Sequence, residues 1–350
     1  AAAAPAPPAP AHGKPGAASL EEILAGGRAA LARGDAFMAQ SMANRGLELD
    51  PVSSEAYRLL GDSYAARGEK TLAEANWKQS LRLNEQNEAT LVSLGEFYVA
   101  EKSWTPALDH LKRAAALNPA NGQRLVLLAR GARGAGDLET ARRVYAAAAE
   151  VLPTDVSLLT ELGAVLVASR DLDAAVAPLM KAAGLAPDNP RVRANLAAVL
   201  RAKGQAREAE REYREALRAD AKHVPALCGL GALLLGEGKL QEAGDLFAAA
   251  VAADPRQLDA VLGLARARRL SRDLAGAAAA LEGLRDLPDA AVLNEAGAVA
   301  YEQGHYEDAR VLFESAASRD ASLPEPKANA AKAKAAAEFL KAVGATPPGI

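Results

Sequence analysis

Histidine and cysteine are the first residue types to test for chemistry, because they supply many of the metal ligands and nucleophiles of proteins. The chain has four histidines and one cysteine, namely His12, His110, His223, His305 and Cys228. None of the histidines belongs to an HExxH pattern, and a CxxC pair cannot form from a single cysteine. We therefore predict no metal ion, no other cofactor and no intrachain disulfide.

Other catalytic motifs are also missing from the sequence. It has no P-loop and no GxSxG pattern, and Gly229 and Gly231 form an isolated GxG without a preceding strand. Cys228 falls on the same predicted helix, where a small apolar filler is favoured over a nucleophile because no repeat-equivalent histidine accompanies it. These observations predict that the protein is not an enzyme.

Composition points to a helical protein. Alanine, the best helix former, makes up about a quarter of the 350 residues, and aromatic residues only 4%. The net charge of −3 is too small to steer the chain to nucleic acid, and the basic residues are not interleaved with aromatic ones. The longest uncharged stretch, 224–236, is too short to cross a bilayer, so we predict no transmembrane segment.

The N-terminus differs in composition from the rest of the chain. Residues 1–19 are rich in alanine and proline and predict a flexible linker. The sequence does not begin with Met. A signal peptide or lipid anchor removed upstream of residue 1 would agree with this start, and a fragment boundary agrees equally well.

A repeat of 34 residues runs through the chain, with starts at 20, 54, 88, 122, 156, 190, 224, 258 and, after a spacing of 32, at 290. The eighth residue of each repeat is Gly or Ala, and the twenty-fourth is large in eight of the nine. The twentieth residue is always alanine: Ala39, Ala73, Ala107, Ala141, Ala175, Ala209, Ala243, Ala277 and Ala309.

These positions predict two helices per repeat. The fourth, seventh, eighth and eleventh residues share one helix face, and the twentieth, twenty-fourth and twenty-seventh share another. A small eighth residue opposite an alanine lets two helices approach closely beside the large twenty-fourth side chain. Glycine at the fifteenth place, as in Gly136, ends the first helix, and proline at the thirty-second, as in Pro153, stops the second.

Repeat four shows the whole pattern, with Leu128, Ala129, Gly136, Ala141, Tyr145, Ala148 and Pro153. This pattern resembles the tetratricopeptide repeat (TPR). The resemblance implies an all-α fold, a right-handed α-solenoid of about nine helix–turn–helix repeats over residues 20–323. After Pro324 and Pro326 break the chain, residues 324–343 are expected to form a capping helix with an apolar stripe of Ala328, Ala331, Ala335 and Phe339, followed by a tail at 344–350.

In TPR proteins the side of the first helix that faces away from the second lines a concave groove, and the resemblance assigns that role here to the second, fifth, ninth and twelfth residues. Asn195, at the sixth place, matches an asparagine that in this family often bonds the backbone of a bound peptide. The groove residues predicted in this way are Arg58, Asp62, Glu96, Val126, Arg130, Arg133, Thr160, Ala164, Val167, Asn195, Ala198, Arg201, Ala232 and Arg266.

The predicted groove is apolar in its middle and carries arginines towards both ends, which favours an amphipathic protein or peptide partner with acidic residues. The alternative is that its alanines and valines pack on the next repeat. The Lys/Asn pattern with which some TPR domains bind a chaperone's C-terminal carboxylate is absent, since Arg58 and Asp62 occupy the required places.

The sequence therefore favours an interaction scaffold within a multi-protein assembly. Arginine outnumbers lysine about two to one, which with the alanine content indicates a bacterial genome of high GC content. By analogy with bacterial TPR proteins we expect a place in the cell envelope or periplasm, in pilus, secretion, motility or outer-membrane assembly, with the cytoplasm as the alternative. A substrate-recruiting or regulatory subunit of an enzyme system is the second reading. Glycan binding ranks last, because Tyr301 is the groove's only aromatic residue.

Overall fold

The computed structural model describes residues 18–284 and 289–343, and every regular element in those ranges is an α-helix, which confirms the predicted all-α repeat fold. Most of the predicted linker (1–19) and the predicted tail (344–350) lie outside the described residues. The helices are α1 (Leu20–Ala32), α2 (Ala36–Leu49), α3 (Ser54–Ala66), α4 (Lys70–Leu83), α5 (Glu88–Ala100), α6 (Trp104–Leu117), α7 (Gly122–Gly134), α8 (Leu138–Val151), α9 (Val156–Ala168), α10 (Leu172–Leu185), α11 (Pro190–Ala202), α12 (Ala206–Ala219), α13 (Val224–Gly236), α14 (Leu240–Ala253), α15 (Leu258–Leu270), α16 (Leu274–Glu282), α17 (Ala290–Glu302), α18 (Tyr306–Arg319) and α19 (Pro324–Ala342).

The helices form two compact units, the first ending at Pro153 and the second beginning at Thr154. The first unit contains α1 to α8, and the second contains α9 to α19. Within each unit every helix packs against the next one along the chain, so each odd-numbered helix lies between two even-numbered ones or at an end of its unit. This arrangement buries one side of each short helix, which is what stabilises helices too short to persist alone.

The closest helix contacts lie where the repeat pattern places small residues. All nine alanines at the twentieth position are completely buried. The large twenty-fourth residue lies directly over the eighth: a Cβ added to Gly61 would come within 2.5 Å of Trp77, and one on Gly163 within 2.5 Å of Leu179. The glycines therefore make room for these side chains as well as for a close helix approach.

The turn inside each repeat requires a left-handed backbone at the fifteenth residue. Gly238 adopts φ +78° there. In repeats without glycine the turn is kept, and Lys102, Arg170 and Arg272 take φ values of 55°, 61° and 68°. The conformation is thus set by the helix packing on both sides of the turn, and glycine is only the residue that adopts it at least cost.

The last helix corrects the prediction made for it. Pro324 does not break the chain but starts α19, because a helix's first turn needs no N–H donor there. The buried residues are Pro326, Ala330, Ala333 and Ala337, and Phe339 is 65% exposed. The predicted stripe was wrong, since alanine covers nearly every face of this helix and apolar spacing alone does not distinguish them.

The buried stripe of α19 has the register of an odd-numbered helix whose even-numbered partner is not among the described residues. It begins 34 residues after α17, and its third, seventh and tenth residues are buried, like Ala226, Leu230 and Leu233 of α13. Where α13 has the buried Leu227 and Leu234, α19 has exposed lysines, Lys327 and Lys334. Charge on that face suits the end of a helical stack. No helix in the described ranges has the length and apolar character needed to span a bilayer.

Candidate functional site

In the first unit, two of the predicted groove residues, Arg58 and Asp62, bond each other. Arg58 Nε donates to Glu55 at 3.0 Å and its Nη1 to Asp62 at 2.5 Å. Asp62 also accepts from Trp77 Nε1 at 2.8 Å and from Ser93 Oγ at 3.2 Å. Burial raises the pKa of the Asp62 carboxyl, and the Arg58 charge opposes that rise only in part. The side chains of this network therefore occupy the face that was predicted to line the groove.

The other predicted residues of the first unit fall into two groups. Glu96, Arg130 and Arg133 are exposed on α5 and α7. Val126 is only 3% exposed and belongs to the core. The expectation that Val126 lines an open strip is therefore corrected by its burial.

In the second unit, Thr160 is a similar correction. Its side chain is buried, and its hydroxyl donates to the Val156 carbonyl 2.6 Å away in the same helix. Of the other residues predicted on α9 and α11, Ala164, Val167, Asn195 and Ala198 come together around one apolar cavity. Its lining consists of Ala164, Val167, Leu172, Leu179, Asn195, Ala198, Val199 and Ala202.

A second cavity of about 500 Å³ adjoins the first, and the two share Ala198. The predicted residues Arg201, Ala232 and Arg266 line this cavity. It also has two aromatic rings, those of Tyr213 and Phe247, which are otherwise almost completely buried. The rest of its lining is Ala198, Pro225, Cys228, Gly229, Leu235, Gln257, Asp259, Leu262 and Gly263.

Gly229 and Gly263 make room for the aromatic rings of the second cavity. The sequence analysis missed this role. Both are sixth residues of their repeats. A Cβ on Gly229 would lie 2.4 Å from the Tyr213 ring, and one on Gly263 would lie 2.3 Å from the Phe247 ring. The signal that could have found them is a glycine at the sixth place directly after a repeat with an aromatic twenty-fourth residue.

A third cavity of about 600 Å³ adjoins the second at Arg266. It is lined mainly by polar side chains: Arg269, Asn294, Glu295, Tyr301, Glu302, Glu325, Asn329 and Lys332, with Arg266, Ala298, Phe313 and Ala328. Asn329 Nδ2 donates to Asn294 Oδ1 at 3.2 Å. We call the three adjoining cavities, which share Ala198 and Arg266, the cavity row.

The cavity row contains the thiol of Cys228. Burial, together with the Asp259 charge, raises the pKa of the Cys228 thiol to about 11, so this group stays protonated near neutral pH. Within residues 18–284 and 289–343, no group of three His, Cys, Asp or Glu side chains is placed to hold a metal ion.

Helix pairs of nearly constant length, interlocked through small and large residues at fixed places, define an α-helical repeat protein. A family model described as tetratricopeptide repeat matches residues 24–77, 126–190 and 195–257, just over half of the chain. The chain belongs to the tetratricopeptide-repeat family. Repeats of this family form scaffolds for protein–protein interaction, and this is the general function that the family gives the chain.

Solved structures agree on the fold. The chain is similar to a tetratricopeptide repeat protein from Parabacteroides merdae, at 20% identity over 71% of this chain and 99% of that one, with a TM-score of 0.58. It is also similar to a chain in the APC/C hetero-tetramer Cut9–Hcn1, at 10% identity over 90% of each chain, with a TM-score of 0.55. A search of curated protein sequences gives no match.

Proposed function

We propose that the cavity row of the second unit binds a segment of a partner protein, and that the chain acts as a non-catalytic scaffold through this site. The observation that carries the proposal is the series of small residues at the ninth place of three consecutive repeats. Ala164, Ala198 and Ala232 all line the row. A side chain of only one carbon leaves space on the helix face that a partner's side chains can fill.

The lining supports a protein segment as the occupant. An apolar surface with a polar border is typical of sites that accept a peptide or helix from another protein. Val167 is 39% exposed in the first cavity, and Tyr213 and Phe247 lie only 2% and 3% exposed in the second. A partner side chain that reaches those rings would gain aromatic contact in a largely desolvated pocket, as interface hot spots do.

The native partner is first captured by cross-linking in the source cells, with the full chain as the bait, and is then identified. Ala198→Glu and Ala232→Glu place a charge in the cavity row, and we expect both to lose the partner. Ala198 is exposed and Ala232 half-buried, so the folded chain should tolerate the change at Ala198 best. The measurement is partner retention beside the thermal melting curve of each variant.

Ala249→Glu is the matched control. Ala249 is an exposed alanine on α14 and does not line any of the three cavities. We expect it to keep the partner. Retention by both cavity variants, or loss by Ala249→Glu at an unchanged melting temperature, would place the binding surface elsewhere and refute the proposal.

The setting we propose is an assembly of the bacterial cell envelope. Its support is the alanine/proline-rich start of the chain and the arginine- and alanine-rich composition. Fractionation of source cells tests this setting with an antibody against the native protein. Recovery in the cytosolic fraction alone would contradict the envelope setting and leave the binding proposal intact.

A further inference from the structure

We infer that Arg266 is the anion-binding residue of the cavity row, that it binds one carboxylate of the bound segment, and that this contact fixes the direction in which the segment lies. The inference rests on the proposed function, because it names the chemistry of the same site. It is argued from the position, the orientation and the charge of this one side chain.

Arg266 interrupts the series of small residues. It is the ninth residue of its repeat, and the ninth residues on either side of it in the row are Ala232 and Ala298. Its side chain is 54% exposed and lines both the second and the third cavity. A segment that occupies both cavities must therefore pass its guanidinium group.

A buried carboxylate orients this guanidinium group. Arg266 Nε donates to Glu295 Oε2 at 3.4 Å, and Glu295 also accepts from Arg269 Nε at 2.7 Å. The Glu295 side chain is only 3% exposed, so it holds Arg266 from inside the protein. Neither terminal nitrogen of Arg266 has a hydrogen-bond partner in the described part of the chain, and the two form the edge that binds a carboxylate in a bidentate manner.

The surrounding charges leave Arg266 available to an anion. Three guanidinium groups, those of Arg266, Arg269 and Arg272, share the carboxylates of Glu295 and Glu302, so the cluster carries one net positive charge. Arg269 is 16% exposed and bonds both glutamates, which makes it a structural partner. Because Glu295 is already neutralised by Arg269, a ligand carboxylate at Arg266 meets little repulsion from it.

Other carboxylates limit the site to one acidic residue. Asp259 lines the second cavity and Glu325 the third, and either would repel an acidic side chain placed close to it. Arg201 lines only the second cavity, whereas Arg266 lines both the second and the third. Arg266, between the two cavities, is therefore the favoured contact for a carboxylate.

The two sides of Arg266 differ in polarity, and this difference gives the segment a direction. Towards α13 lie Ala232, Leu235 and the aromatic rings of the second cavity. Towards α19 lie Asn294, Asn329 and Lys332. The favoured segment has an apolar anchor on one side of an aspartate or glutamate and polar residues on the other side, in one fixed chain order.

A displayed library of random peptides about a dozen residues long tests the inference, with the full chain as bait. We expect the wild type to enrich peptides with an apolar residue on one fixed side of an acidic residue. Arg266→Gln should still enrich the apolar residue but lose the acidic preference. Replacing the acid by its amide in a selected synthetic peptide should weaken binding to the wild type at least tenfold and leave binding to Arg266→Gln unchanged.

Two variants make the test specific. Arg218→Gln removes an exposed arginine of α12 that lines none of the three cavities, and should select the same peptides as the wild type. Arg266→Lys keeps the charge but not the bidentate edge, and should keep the acidic preference with weaker binding. If Arg266→Gln lowers the melting temperature, Arg266→Lys and the amide peptide still test the inference.

The outcomes separate the inference from the proposed function. If nothing is enriched by the wild type, or if Ala198→Glu enriches the same peptides, the proposed function fails. If Ala198→Glu abolishes enrichment but the wild-type peptides have no acidic preference, or have it on either side of the anchor at random, only the assignment of Arg266 is overturned. Equal acidic preference in Arg266→Gln overturns it as well.

Discussion

The two units use the same helix pairs but differ at the ninth residue of the odd-numbered helices. In the first unit that place holds Asp62, Glu96 and Arg130 in repeats two to four. In the second unit, repeats five to seven place alanines there, and all three line cavities. Asp62 bonds Arg58, Trp77 and Ser93 of the same unit, whereas a methyl group at this place leaves the face open.

The groups that contact the large twenty-fourth side chain also differ between the two units. In the first unit the Trp77 indole donates to Asp62, and Ser93 donates to the same carboxyl oxygen. In the second unit Gly229 and Gly263 lie against the Tyr213 and Phe247 rings and add no polar group. Two side-chain positions on a constant backbone thus decide whether a face is filled by the protein's own hydrogen bonds or left for a partner.

The largest expected effect comes from filling the open face. In Gly263→Val, the new Cβ would stand 2.3 Å from a Phe247 ring atom, and the ring is almost completely buried. Overpacking of this kind typically costs about 1–3 kcal/mol. We expect the free energy of unfolding in urea to fall by that amount, and the second cavity to lose its peptide binding.

Gly184→Ala is the control for that change. Gly184 lies in α10, and a Cβ there would have nothing within 4 Å. Alanine in a helix is about 0.5–1 kcal/mol more favourable than glycine, so this variant should gain stability. If Gly263→Val unfolds like the wild type, the ring moves aside at little cost and the packing role given to Gly263 is wrong.

The filled face gives the next largest effect. Asp62→Ala leaves the Trp77 indole N–H and one side of Arg58 without their acceptor, and an unsatisfied buried group costs about 1–3 kcal/mol. Asp259→Ala makes the same substitution at an exposed place in the second unit, where we expect a change within about 0.5 kcal/mol. Equal losses in urea unfolding would contradict the distinction between a filled and an open face.

The repeat register could be predicted from the sequence because close helix packing tolerates few residue types. Only alanine or another small residue fits where two helices nearly touch, so the nine alanines gave the register, and all nine are completely buried. The same logic placed the glycine turns. Their conformation persists at Lys102, Arg170 and Arg272, where the residue type gives no signal.

The openness of the groove residues could not be predicted in the same way. The fifth and ninth residues lie one turn apart on the same helix face, so periodicity treats them alike. In repeats three to six the fifth residue is covered, and Val92, Val126, Thr160 and Ala194 are all buried. Ala164 and Ala198, at the ninth place, are exposed. Whether a groove residue is buried or exposed depends on its distance to the neighbouring helices. A single sequence does not encode that distance in a readable pattern.

The smallest expected effect concerns a feature that the units share. His110 in the first unit and His223 in the second each have a buried Nδ1 with no hydrogen-bond partner among the described residues. Burial is the main cause that lowers the pKa of both side chains below the ordinary histidine value, against the nearby charges of Asp109 and Asp220. His110 also stacks on the Tyr98 ring, with centroids 5.7 Å apart.

A lowered histidine pKa means that the unfolded chain takes up protons at a higher pH than the folded chain. The free energy of unfolding should therefore stay constant above the ordinary histidine pKa of about 6.5 and fall as the pH drops below it. Urea unfolding of the wild type at pH 7.5 and pH 5.5 measures this loss, and the difference should shrink in His110→Phe and shrink further in His110→Phe combined with His223→Phe. A comparison of the two single variants shows which unit's histidine contributes more to the loss. An equal loss in wild type and double variant would assign the pH dependence to carboxylates and contradict the role given to both histidines.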